Sequence, residues 1–102
     1  MDGLQNQQKL GMLSTQTGEV DGMDTVTAVR RRILELCDQR GISINKLATL
    51  SALPPSSIKN ILYGKSRNPK LVTIKMICDG LEITLGEFFS TAEFDALEQE
   101  LL

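Results

Sequence analysis

Histidine and tryptophan are both absent from the 102 residues, and tyrosine occurs once. Without histidine the chain has neither the commonest general base near neutral pH nor the commonest metal ligand. No grouping of nucleophile, base and oxyanion donors takes their place, so the sequence argues against an enzyme and implies no cofactor and no metal. Apart from Tyr63 the aromatics are Phe88, Phe89 and Phe94, all in apolar patterns, too few stacking platforms for a single-stranded RNA binder. There is no run of 18 or more apolar residues to span a membrane, and the N-terminus lacks the basic-then-apolar pattern of a secretory signal. A cytoplasmic protein with no membrane partner is the expectation. Cys37 and Cys78 fall in apolar periodic stretches. Their spacing fits neither a metal site nor a disulfide framework, and both read as small core residues.

Acidic residues are missing from one stretch in particular. The net charge is −2, which by itself speaks against a nucleic-acid partner, but the charges are segregated. Glu93, Asp95, Glu98 and Glu100 crowd the C-terminus, and Asp2, Glu19 and Asp21 outweigh Lys9 at the start. Residues 39–78 contain no acid at all, while Arg40, Lys46, Lys59, Lys65, Arg67, Lys70 and Lys75 lie within them. In a chain with 13 acids, a basic stretch of that length reads as an electrostatic footprint for an anionic partner.

What is present is mostly helical periodicity in a chain the size of one domain. Residues 1–22, rich in Gln, Gly, Ser and Thr without an apolar period, read as a disordered tail or an extension ahead of Met23. From Asp24, Val26, Val29, Ile33, Leu36 and Cys37 recur at helical spacing until Gly41 supplies a stop. Ser43 caps a second, two-turn helix whose inner face is Ile44, Leu47, Ala48 and Ser51.

The stretch "LPPSSIKNILYGK", residues 53–65, fixes where a third helix begins. Pro55 disfavours the helical conformation at Pro54 and itself suits the first helical position, where its missing N–H is not needed. Ile58, Ile61 and Leu62 give that helix a buried face, Ser56, Ser57, Lys59 and Asn60 point outward, and Gly64 is expected in the left-handed cap. Two short helices joined by a tight turn are the layout of a helix-turn-helix. A basic loop, "KSRNPK", leads to a fourth helix with Leu71, Ile74, Ile77 and Cys78 on its apolar side. Thr84 with Glu87 forms a capping box for a short helix holding Phe88 and Phe89. Ser90 with Glu93 predicts another for an acidic amphipathic helix over 91–102, with Phe94, Leu97 and Leu101 on one face. The helix-turn-helix domain is placed at 23–90.

Residues 30–89 resemble the phage-repressor-like helix-turn-helix family, also called Xre-type or lambda-repressor-like. The likeness rests on "SINKLATLSALPPSSIKNILYGKSRNPKLVTIKMICDGLEITLGEFF": Leu47-Ala48, Ile58, Gly64, Pro69, Thr73, Leu81 and Phe88-Phe89. It departs from the family at Ile44, where relatives often carry a DNA-touching glutamine, at Ala52, where many have glycine, and at Pro55, where many place a base-reading side chain. The resemblance implies an all-α bundle of five to six helices that binds double-stranded DNA as a transcriptional regulator, with a repressor acting as a homodimer on a palindromic site as the expectation. Helix 54–63 would enter the major groove and loop 64–70 would rest on phosphates. The residues expected to meet DNA are Ser43, Asn45, Lys46, Pro55, Ser56, Ser57, Lys59, Asn60, Tyr63, Lys65, Ser66, Arg67 and Asn68. Arg30, Arg31 and Arg32 span too wide an angle to share one site, so at least one is expected to be merely solvated. The alternative is a protein-interaction module of the same fold, of antitoxin or antirepressor type, using the C-terminal helix on a protein partner.

Overall fold

Where apolar residues recur every three or four positions the chain is helical. The computed structural model describes residues 23–101, so the expectation of a disordered tail over 1–22 lies outside the described residues. Six helices run in order: α1 (Thr25–Arg40), α2 (Ile44–Leu50), α3 (Pro55–Tyr63), α4 (Leu71–Leu81), α5 (Leu85–Phe89) and α6 (Ala92–Asp95). The described residues hold no strand, in agreement with the all-α expectation. Residues 26–96 form one compact unit, and the described residues flanking them, 23–25 and 97–101, fall outside it. Among the flanking residues the backbone N–H and hydroxyl of Thr25 donate to the Glu100 carboxylate at 2.8 and 2.7 Å. No described helix is long and apolar enough to cross a membrane.

One apolar cluster organises the larger unit. Ile33, Leu47, Ile58, Ile77, Cys78, Leu81 and Phe88 are its largest fully enclosed members, drawn from five helices. α2 packs on both α3 and α4, and α4 on α5. Both cysteines are buried free thiols, and burial pushes both of them up from the ordinary thiol range. Leu71 departs from the sequence reading. It opens α4 with 65% of its surface exposed, beside Val72 at 69%, because the first turn of α4 projects past the cluster that Ile74 is the first to reach.

Three helices close with the same backbone motif, in which a left-handed residue follows the helix and two N–H groups fold back onto its last carbonyls. After α1 the left-handed residue is Gly41, with Gly41 N–H on Asp38 at 3.1 Å and Ile42 N–H on Cys37 at 3.0 Å. After α2 it is Ala52, with bonds to Thr49 and, from Leu53, to Ala48. After α4 it is Glu82, with bonds to Asp79 and, from Ile83, to Cys78. Each time the next residue, Ile42, Leu53 or Ile83, packs against the core, so the hydrophobic contact fixes the turn even where the left-handed residue is not glycine. Gly64, expected to be left-handed, is instead extended at φ −80° and ψ 178°. Its lack of a side chain answers a different need, since a Cβ there would lie 2.4 Å from the Asn60 carbonyl oxygen.

The C-terminal expectation also changes. Thr91, not Ser90, caps α6 by accepting from Phe94 N–H at 3.3 Å, and the helix ends at Asp95 after one turn. Residues 97–101 are non-helical, and Leu101 is 80% exposed. A short isolated helix is marginal in water, and Glu98 and Glu100 would place negative charge at the negative end of its dipole. Only Phe94 of the expected apolar face reaches the core, where its ring meets Phe89 at 4.9 Å and Phe88 at 6.1 Å. The helix expected over 91–102 is therefore confined to Ala92–Asp95 among the described residues.

Candidate nucleic-acid interface

The local chemistry of the sequence sets the entry to α3. Pro54 is extended at φ −66° and ψ 145°, as a residue before proline must be, and Pro55 occupies the first helical position. Neither proline carries an N–H, and Ser57 N–H bonds Pro54 at 3.0 Å. Upstream, Ser43 caps α2 as expected, its hydroxyl accepting Lys46 N–H at 3.0 Å.

Along α3, Ile58, Ile61 and Leu62 are buried, so at 100° per residue Ser56, Lys59, Asn60 and Tyr63 occupy the opposite side. All four are exposed, and Tyr63 keeps 70% of its surface in solvent. Ser57 departs from its expected outward position and is half-buried on the flank of the helix. Pro55 is exposed at the entry, as are Ser43, Asn45 and Lys46 on the first turn of α2. Asn45 also uses its carbonyl to accept the Thr49 hydroxyl at 3.2 Å.

After α3 the chain runs out through Lys65, Ser66, Arg67 and Asn68, all exposed. The Ser66 hydroxyl accepts Asn68 N–H at 3.3 Å, a local turn that shapes the loop. Besides the first turn of α2, two exposed segments of polar and basic side chains stand out, the outer side of α3 and the loop after it. Both lie within the acid-free residues 39–78, and nothing in that stretch supplies a carboxylate to neutralise them.

The arginines of α1 were the residues least legible in advance. Arg30 donates through Nε to the Ile61 carbonyl at 2.7 Å and through a terminal nitrogen to the Gly64 and Ser66 carbonyls at 3.3 and 3.1 Å. Arg31 pairs with Glu93 at 3.2 Å while remaining 61% exposed, so it is the solvated one of the three. Arg32 donates to the Phe88 and Glu87 carbonyls at 2.7 and 2.9 Å and to the Glu35 carboxylate at 2.8 Å. A signal for Arg30 was available. Glu35 lies three or four residues beyond Arg32 and Arg31, whereas the positions that far from Arg30 hold no acid, so α1 itself offers Arg30 no ion pair and leaves it available to another element.

A shallow recess beside α1 and α6 is lined by Arg31, Leu34, Glu35, Thr91 and Glu93. Its charged side chains include the Arg31–Glu93 pair. No cluster of three or more His, Cys, Asp or Glu suited to a metal occurs among the described residues.

The family model for the Cro/C1-type helix-turn-helix DNA-binding domain matches residues 32–93. No curated protein matches the chain significantly. Among solved structures, one titled the crystal structure of the prophage Lp1 protein 11 is similar, with a TM-score of 0.64 and 29% sequence identity over 71% of this chain and 95% of that one.

Proposed function

Because the chain belongs to the Cro/C1-type helix-turn-helix DNA-binding family, a class of double-stranded DNA-binding regulators, we propose that it is a sequence-specific repressor that reads the major groove with α3. In this reading Ser56, Lys59 and Asn60 face base edges, with Asn45 beside them from α2. Lys65, Ser66, Arg67 and Asn68 hold one phosphate strand, and Ser43, Lys46 and Tyr63 add contacts at the margins. The observation that carries the proposal is the coincidence of the acid-free stretch with the exposed side of α3 and its following loop.

Pro55 sets the aim of α3 and does not read bases, since its ring offers no donor or acceptor. Ser57, half-buried, contributes less than its neighbours. Repression needs only occupancy of a promoter, which a domain of this size supplies. A homodimer would place two copies of α3 in successive major grooves about 34 Å apart.

Selection of bound sequences from a random duplex pool tests the reading as a whole. Recovery of a palindromic site, with an affinity that falls steeply as salt rises, is the expected result. A salt-independent affinity or an unenriched pool would overturn it. On the recovered site, Lys59→Ala should cost about 1–3 kcal/mol and relax one base position. A uniform loss on every duplex would move Lys59 to the phosphates.

A further inference from the structure

The end of α3 is built unlike those of α1, α2 and α4. The last carbonyls of a helix have no partner within it, and in the other three a left-handed residue brings later N–H groups back to them. At Gly64 the chain stays extended and only Gly64 N–H returns, to Asn60 at 3.0 Å. The Ile61 carbonyl is satisfied instead by Arg30 of α1, whose guanidinium also takes the carbonyls on either side of Lys65. A cation at this position complements the negative end of the helix dipole, and the planar fork of guanidinium nitrogens allows one side chain to engage three carbonyls.

We propose that Arg30 is the positioning residue of the DNA interface: by gripping Ile61, Gly64 and Ser66 it fixes the path of the chain through Lys65 and so presents Lys65 to a phosphate. The role rests on the DNA-binding reading above and adds to it a residue on α1, a helix given no contact with DNA in that reading. Charge alone does not suffice: the grip needs the fixed fork of N–H donors, which lysine, with a single ammonium on a flexible stem, cannot reproduce.

The test is a double-mutant cycle on duplex DNA recovered by selection, using Arg30→Lys, Lys65→Ala and the double variant, each first checked for an unchanged far-ultraviolet spectrum and melting temperature. Arg30→Lys should weaken binding about tenfold, the scale of one lost charge-assisted hydrogen bond. In the Arg30→Lys background the further effect of Lys65→Ala should shrink toward nothing, because a wandering loop no longer delivers Lys65. Multiplicative, independent losses would overturn the proposal, as would an Arg30→Lys protein that binds like the parent. If Arg30→Lys instead lowers the melting temperature until the protein is partly unfolded in the assay, Arg30 supports the fold at large and the proposal also fails. Failure of the parent protein to bind any duplex would overturn the DNA-binding reading itself, an outcome the parental arm identifies before any variant is compared.

Discussion

Gly80 of α4 lies directly against Leu50 at the end of α2: a Cβ at residue 80 would stand 2.7 Å from the Leu50 carbonyl carbon and oxygen and 2.8 Å from the Ser51 nitrogen. Backbone meets backbone there, so the glycine sets how closely the helix-turn-helix approaches the helix behind it. Gly80→Ala should destabilise the protein by about 1–3 kcal/mol through overpacking, although alanine is the better helix former by about 1 kcal/mol. Urea denaturation measures the difference, and an unchanged midpoint would show that the two helices separate without cost.

Ala52 has the opposite problem. It occupies the left-handed region at φ 58°, where a Cβ costs roughly 1–2 kcal/mol, and it is exposed, so no packing would be lost by removing the methyl. Ala52→Gly should raise stability by about 0.5–1 kcal/mol after the greater freedom of glycine in the unfolded chain is deducted. In a domain of this size a gain of that order raises the melting temperature by a few degrees. A lower melting temperature would count against the left-handed turn.

The C-terminal segment should divide at Asp95. Phe94 touches two rings, and Phe94→Ala should cost about 2 kcal/mol, below the cost for a fully enclosed phenylalanine. Leu101→Ser should stay within about 0.5 kcal/mol, as surface substitutions usually do, and should leave the sedimentation coefficient unaltered. A change of oligomeric state in Leu101→Ser would give this segment a role in assembly.

Burial holds the thiols of Cys37 and Cys78 protonated above their ordinary value of about 9.0. The folded state therefore keeps protons that the unfolded chain releases. The associated stability is fully present below about pH 9 and is lost as pH rises from there through the raised folded-state value. Alkylation at pH 8 should be slow in the native protein and prompt in denaturant, as mass spectrometry would record. Equal rates in both would mean that the thiols are accessible.

Much of this architecture was legible in the sequence because it depends on local rules. The Ser43 cap, the Pro54-Pro55 entry, the Thr84 and Glu87 box and the apolar faces of α1 to α4 each follow from a few adjacent residues. The differences share a cause. Residue type and spacing speak only to local structure, whereas Gly64, Leu71 and the segment after Ser90 depend on where the core ends and which distant group supplies a bond. Arg30 sits among three arginines on one helix, yet its partners lie more than thirty residues away. Ala52 departs from the family's usual glycine, but the left-handed conformation persists there, held by the bonds to Thr49 and Ala48. The outward side of α3 was readable from its buried side alone, except for Ser57 at the boundary.

Arg30, Arg31 and Arg32 are consecutive, and each step along a helix turns the side chain by about 100°. That rotation lets one tripeptide address α3 and its loop, Glu93 at α6, and the carbonyls of α5 all at once. A point substitution at any of the three removes one attachment and leaves two. Deleting Leu34 would turn all three by the same angle relative to the face that Leu36 and Cys37 bury and misdirect every one of them together. This part of α1 therefore has little tolerance for a change in length, however tolerant each position is to a change in identity.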